Sequence, residues 1–293
     1  MTPNDRAQGC YAPMLIGGHE FNWGERTYLM GILNVTPDSF SGDGVGSDVA
    51  AAVRRVREMI AAGADIIDVG GESTRPGHTP VSAEEELARV LPVLRAVVGS
   101  FDVPFSIDTR KSLVARAAVE AGASLVNDVS GLTADPDMAG TVRDAGVPVV
   151  LMARGGSRRL DVVTRVRRDL DESLARARNA GIPREHLLID PGFGFGKNWR
   201  DNLVLLRRLS EFRSYGLPML IGLSRKATIA KILGPDSQHR TAANAALVAL
   251  AISGGADMMR VHDVGTGRDA ARIADAVMRE TAGFGGGEDE SKQ

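Results

Sequence analysis

Tyr28-Leu-Met-Gly-Ile-Leu-Asn34 runs directly into Val35-Thr-Pro-Asp-Ser-Phe-Ser41, and that junction decides between two architectures. The first stretch is almost continuously apolar up to Asn34, as in a strand buried on both faces of a parallel sheet. In an open doubly wound sheet the first strand is usually followed by G-x-G-x-x-G, whose glycines let backbone amides approach a pyrophosphate. Residues 34–41 contain no glycine. Similar apolar runs recur at 64–70, 103–108, 124–128, 147–152, 187–190, 218–223 and 257–262. Amphipathic helical patterns separate them. Val49, Val53, Val56 and Ile60 share one helical face, with Ser47 or Asp48 as N-cap and Gly63 as C-terminal stop. Ser82-Ala-Glu-Glu85 reads as a capping box ahead of Leu87, Val90, Leu91, Leu94 and Val98. Further helices are expected at 110–121, 136–145, 161–180, 200–212, 240–253 and 267–281. A strand–loop–helix unit repeated eight times points to a closed (β/α)8 barrel, an α/β fold of the TIM type.

Residues 14–16 and 20–23 flank Gly17-Gly18, a hairpin signal placed to plug the bottom of such a barrel. The expected organisation is an N-terminal extension over 1–13, the barrel with its short N-terminal hairpin over 14–282, and a Gly-rich, then charged, disordered tail over 283–293. Charge excludes some partners. Lys and Arg total 35 against 37 Asp and Glu, so no basic field exists to hold nucleic acid, and Arg154-Gly-Gly-Ser-Arg-Arg159 reads as a solvated loop. The single cysteine, Cys10, rules out an internal disulfide or a Cys-based zinc site. Neither a secretory leader nor a membrane-length apolar run is seen, so no membrane partner is expected and the cytoplasm is the expected compartment. Gly192-Phe-Gly-Phe-Gly-Lys197-Asn198 imitates a phosphate loop, but its spacing is one residue short and Asn198 stands where Ser or Thr is needed.

A barrel places its chemistry at the C-terminal ends of the strands. Read in order, those ends carry Asn34, Asp68, Asp108, Asn127 with Asp128, Met152, Asp190, Ser224-Arg-Lys226, and Arg260 with His262. Asp128 and Asp263 read as caps. The remaining mix of acceptors and donors suits a small polar heterocycle plus an anion. Asp108, Asn127, Asp190 and Lys226 match the edge of a ring bearing amino, amide and ring-nitrogen groups. Arg260 and His262, two residues apart on one strand, leave it on the same face and can hold a di-anionic phosphate. Asn34 and Asp38 are oxygen ligands suited to Mg2+ beside a diphosphate. The loops over 34–46 and 70–80 are long, with Gly or Pro at their ends, the type that closes over a site.

Met30-Gly-Ile-Leu-Asn-Val-Thr-Pro-Asp-Ser-Phe-Ser41 and Asp68-Val-Gly-Gly-Glu-Ser-Thr-Arg-Pro-Gly77 resemble the two signatures of the dihydropteroate synthase family of folate biosynthesis. Phe105-Ser-Ile-Asp-Thr109, Asn127-Asp-Val-Ser-Gly131, Asp190-Pro-Gly-Phe-Gly-Phe-Gly-Lys197, Gly222-Leu-Ser-Arg-Lys226 and Arg260-Val-His-Asp-Val264 follow in the family's order. The resemblance implies a Mg2+-dependent transferase, a target of sulfonamides and a homodimer. Its reaction joins 6-hydroxymethyl-7,8-dihydropterin diphosphate to p-aminobenzoate and releases pyrophosphate. It implies that Asp108, Asn127, Met152, Asp190 and Lys226 hold the pterin, and that Asn34, Arg260 and His262 hold the diphosphate, Asn34 also serving the metal. Thr74, Arg75, Pro76 and Ser224 would frame p-aminobenzoate, with Phe40 and Phe193 as apolar walls. Asp38, Lys226, Arg260 and His262 are the expected catalytic residues, with Asp38 stabilising positive charge that develops on the pterin methylene.

Two departures from the family stand out. After the fifth strand the family commonly reads Leu-Met-His and a longer polar loop, whereas this chain reads Leu151-Met-Ala-Arg-Gly155 and a short one. The first loop reads Phe40-Ser-Gly-Asp-Gly44, one residue longer than the common form. The competing readings are a pterin-binding methyltransferase domain working with a corrinoid partner, which has no use for a diphosphate site, and a binder without turnover.

Overall fold

The computed structural model describes residues 11–36, 49–73, 79–155, 160–223, 227–234 and 240–279. An antiparallel hairpin comes first, β1 (Met14–Ile16) and β2 (His19–Phe21), turned by Gly17 and Gly18, both at positive φ. The barrel strands follow in sequence. They are β3 (Tyr28–Asn34), β4 (Ile66–Gly70), β5 (Phe105–Asp108), β6 (Leu125–Asp128), β7 (Val149–Met152), β8 (Leu187–Asp190), β9 (Leu220–Ile221) and β10 (Met258–Val261). Neighbours pair in parallel from β3 through to β8, and β10 lies between β3 and β9. The ring is brought round by a bridge between Ile189 and Met219 and by the Ile189 amide, which donates to the Pro218 carbonyl at 3.0 Å. The sheet is the barrel its unbroken apolar strands require.

The outer layer consists of α1 (Val49–Ala61), α2 (Ala83–Val97), α3 (Ser112–Glu120), α4 (Met138–Ala145), α5 (Val162–Ala180), α6 (Trp199–Arg207), α7 (Ala227–Leu233), α8 (Arg240–Ser253) and α9 (Val264–Met278). The seventh unit therefore carries two helices where the sequence pattern suggests one. The expected helix over 200–212 is split, because after α6 the chain tightens into 3-10 turns over Leu209–Tyr215. The capping box expected at Ser82 forms only in half. The Ser82 hydroxyl accepts from the Glu85 amide at 3.2 Å, but the Glu85 carboxylate pairs with Arg89 one turn on. A complete box opens α6 instead, between Asn198 and Asp201. The proposed caps of α1, Ser47 and Asp48, lie outside the described residues, as does the tail beyond 279.

Two apolar clusters divide the interior. The larger lies between strands and helices. The smaller fills the barrel axis at its lower end, where Met30, Ile66, Leu125, Val150, Leu188, Leu220 and Met258 meet Met14, Ile16, Phe21 and Trp23 of the hairpin region. The Phe21 and Tyr28 rings pack at a tilt of 44° with centroids 4.6 Å apart. The hairpin closes the bottom of the axis with apolar contacts, and the upper, C-terminal end is where a barrel of this type presents its chemistry.

Candidate active site

Parallel register sets which polar side chains can meet. Asp68 lies opposite Ser106, Asp108 opposite Gly70 and Asn127, and Met152 opposite Asp190. Asp68 is 1% exposed and so must be paired to remain charged. Its Oδ1 accepts from the Ser106 hydroxyl, and its Oδ2 accepts from Asn127 Nδ2 at 3.0 Å and from Arg260 Nε at 2.6 Å. Arg260 reaches across the barrel a second time, and its Nη2 donates to Asp108 Oδ2 at 2.6 Å. One guanidinium thus spans two carboxylates, a fork geometry that lysine cannot reproduce. Burial alone would lower the Arg260 pKa, but the charges of Asp68 and Asp108 raise it, so the guanidinium stays cationic. The Asp108 carboxyl is pushed up to about 7, first by burial, with Arg260 opposing and Asp68 reinforcing the rise.

Asp190 and Met152 stand together on the neighbouring strands. The Asp190 Oδ1 accepts from the Gly192 amide at 2.7 Å, and Met152 is buried. Asn34 ends β3 half-buried at the mouth. His262 lies just past β10. It lines a cleft of about 270 Å³ between α1 and α9 with Arg55 and Asp263, and its carbonyl accepts from Arg55 Nη2 at 3.1 Å. Phe193 is 1% exposed and belongs to the large apolar cluster, so its ring is core and offers no open wall for an aromatic substrate. Asp263 caps α9 as expected, accepting from the Thr266 amide. Asp128 caps a turn instead of a helix, accepting from the amides of Ser130 and Leu132 and holding Leu132 at φ 61°. Asp38, Phe40, Thr74, Arg75, Pro76, Ser224 and Lys226 lie outside the described residues.

Sequence reasoning placed Asp68 at a strand end but gave it no role, and it overlooked Ser106. Both had a readable signal. A carboxylate inside an apolar strand must find donors, and Ser106 is two residues before Asp108 and so shares its face. A second network was also missed. The Glu72 carboxylate accepts from Arg110 and Lys111, Lys111 also pairs with the buried Glu86, and Arg89 donates to the Gly71 carbonyl at 2.7 Å. These contacts fix the start of the second loop immediately before residues 74–78.

The arrangement can grip the edge of a polar ring with carboxylate and amide groups while holding one delocalised cation nearby. A ligand that donates N–H groups to Asp108 needs it ionised. With a free-state pKa near 7, binding below that pH must expel a proton. The affinity of a pterin is therefore expected to rise as pH goes from 5.5 to 7, by up to about tenfold per unit, and then to level off. Calorimetry at pH 6 in buffers of different ionisation enthalpy should register close to one proton released. An affinity flat across that range would show that Asp108 does not accept from the ligand.

Comparison with known proteins gives the same outline. The family model described as "Pterin binding enzyme" matches residues 30–262. A dihydropteroate synthase of Clostridium beijerinckii is 46% identical over 268 residues, covering 91% of this chain and all of its own. The crystal structure of the Xanthomonas albilineans dihydropteroate synthase with 4-aminobenzoic acid superposes with a TM-score of 0.85 at 45% identity, covering 90% of this chain and 97% of that one. The same enzyme in complex with 7,8-dihydropteroate gives a TM-score of 0.83 at 43% identity over 91% and 98%.

Proposed function

This chain belongs to the pterin-binding enzymes and, within them, to the dihydropteroate synthases, and we propose on that premise how its residues divide the work. It is a transferase that condenses 6-hydroxymethyl-7,8-dihydropterin diphosphate with p-aminobenzoate to give 7,8-dihydropteroate and pyrophosphate. The observation that carries the assignment of roles is the pairing of Arg260 with both Asp68 and Asp108 at the C-terminal mouth. Asp108, Asn127 and Asp190 offer the acceptors and donor that a pterin edge requires, with Met152 beneath the ring and Lys226 completing the set. The Nη2 of Arg260 is bound to the carboxylate that the pterin needs. A pterin that donates to Asp108 competes for that oxygen and leaves a cationic N–H group to meet the diphosphate, while Nε stays anchored on Asp68. His262 supplies a further donor.

Asn34 fits a Mg2+ role, being a half-buried neutral oxygen donor at the mouth, and it would share the ion with diphosphate and water. Bound there, Mg2+ supplies charge neutralisation for the departing diphosphate. The C–O bond of the exocyclic methylene breaks with its electron pair leaving on the diphosphate. The aniline nitrogen forms the new C–N bond with its lone pair, and the proton it then sheds passes to the released pyrophosphate or to solvent water. Arg260 and His262 stabilise the leaving charge, and Asp38 answers the positive charge on the methylene. Thr74, Arg75, Pro76, Ser224 and Phe40 frame p-aminobenzoate, and sulfonamides, which share its shape, compete there. Leu250 on α8 and Ile273 and Val277 on α9 are exposed large apolar side chains, which supports a homodimer built on the side of the barrel. No helix among the described residues is long and apolar enough to cross a membrane, and a cytoplasmic setting suits the reaction.

The test is pyrophosphate release with dihydropterin diphosphate and Mg2+, with and without p-aminobenzoate. Release that requires p-aminobenzoate supports the synthase, and chelation of Mg2+ should suppress it. Pterin binding without any release would make the chain a binder and sink the assignment.

A further inference from the structure

Gly192-Phe-Gly-Phe-Gly-Lys197 imitates a phosphate loop in sequence, but its lysine is turned into the protein. Lys197 is 8% exposed, and its Nζ donates to the carbonyls of Ala153 at 3.0 Å, Gly192 at 2.8 Å and Phe195 at 3.0 Å. An ammonium has three N–H donors, and each of these carbonyls takes one. Ala153 directly follows Met152 on the β7 exit, while Gly192 and Phe195 follow Asp190 on the β8 exit. The lysine therefore bridges the two segments that present Met152 and Asp190.

The rest of the seam is built to the same end. The Ala153 amide donates to the Asp190 carbonyl at 2.8 Å. Gly192 and Gly196 sit at φ 72° and 62°, and a Cβ on either would run into the carbonyl of Ala153 or Arg154, so only glycine permits this approach. From the helix side, the buried Arg165 donates to the Gly155 carbonyl and pairs with Asp201, both at 2.9 Å. Asp169 accepts from the Gly155 amide at 2.6 Å. The short β7 exit is thus held at Ala153 by one buried cation and at Gly155 by another. At position 153, where the family commonly has His, the seam uses only backbone atoms, and the alanine side chain is fully buried.

We propose that Lys197 is a positioning residue for the pterin half of the reaction, clamping the Met152 exit to the Asp190 exit so that a ring resting on one meets the other at fixed spacing. The proposal rests on the reading of Met152 and Asp190 as pterin contacts. Lys197 itself acts through three carbonyls and touches no reacting atom. Misplacement of binding groups by about 1 Å can cost up to about a hundredfold. K197M keeps the length of the side chain and removes its donors. It is expected to raise KM for dihydropterin diphosphate ten- to a hundredfold. KM for p-aminobenzoate at saturating pterin should move less than about threefold, as for a distant site. K197Q, which retains N–H donors, should recover part of the loss. G192A pushes the segments apart with Lys197 in place and should give the same selective rise. It also carries the test, together with K197Q, should K197M fail to fold. An unchanged pterin KM in K197M, or both KM values rising together, would overturn the proposal. D190N is the separate control, because a pterin KM unaffected by that change would remove the reading on which the proposal rests, whatever Lys197 does.

Discussion

R260A is expected to lower p-aminobenzoate-dependent pyrophosphate release by about 10²–10³-fold, the loss typical of removing one preorganised donor from a developing anion. It should also destabilise the barrel. The Arg260 side chain is only 18% exposed, and its removal takes from Asp68 and Asp108 the cation that both of them pair with among the described residues. Breaking a buried pair in this way costs about 3–5 kcal/mol, partly relieved here because Asp108 can take up a proton. Two measurements separate chemistry from scaffold. R260K keeps a positive charge and most of the stability, but a compact ammonium cannot donate to both carboxylates and to a diphosphate as the guanidinium fork can. It should unfold near the parent temperature while remaining at least about tenfold slow. The pH dependence of pterin binding gives the second readout. Arg260 holds the Asp108 pKa down against burial, so in R260A the pH at which pterin affinity levels off must move above 7. Full pyrophosphate release by R260A, measured on the folded fraction, would exclude Arg260 from the chemistry.

How far such a site can be read from sequence depends on the kind of interaction. The barrel was legible because its cause is local and repeated. Continuous runs such as residues 149–152 and 187–190 cannot be half-exposed, and stop signals such as Gly146 and Gly181 sit where the helices end in left-handed caps. Asp108, Asn127, Asp190 and Arg260 were legible because the barrel puts strand ends at one mouth. Which of them touch was not. The pairing of Arg260 with Asp68 joins residues 192 positions apart, and nothing in a strand's own pattern says which carboxylate a guanidinium will choose. The same limit hid the seam at Lys197, where the pattern resembles a phosphate loop and only the fold shows three carbonyls already occupying the ammonium. Split helices and half-formed caps were missed for a more local reason. The Glu85 carboxylate had a competing partner, Arg89, one turn along the same helix.

The residue with no assigned role beforehand should have an effect comparable to that of Arg260. Asp68 is the acceptor shared by Asn127 and Arg260, so it couples the pterin side of the site to the diphosphate side. D68A removes that acceptor and leaves the Ser106 hydroxyl, the Asn127 amide and Arg260 Nε to find partners in a dry interior, each unmet group costing about 1–3 kcal/mol. Turnover should fall about 10²-fold, with kcat lowered and KM for dihydropterin diphosphate raised, while KM for p-aminobenzoate stays near its parent value. D68N separates geometry from charge. A carboxamide can accept from Asn127 and Arg260 through its oxygen and donate to the Ser106 hydroxyl through its nitrogen, so the hydrogen bonds survive and only the negative charge is lost. Activity should therefore recover most of the way from D68A to the parent. The Asp68 charge also raises the Asp108 pKa, so the pH at which pterin affinity levels off should fall below 7 in D68N, opposite to its shift in R260A. Opposite shifts are hard to obtain from general loosening of the barrel. If D68N and D68A were equally impaired, charge rather than positioning would be the contribution of Asp68. If neither moved the pterin KM, the network would be scaffold and the coupling between the two half-sites would have to run elsewhere.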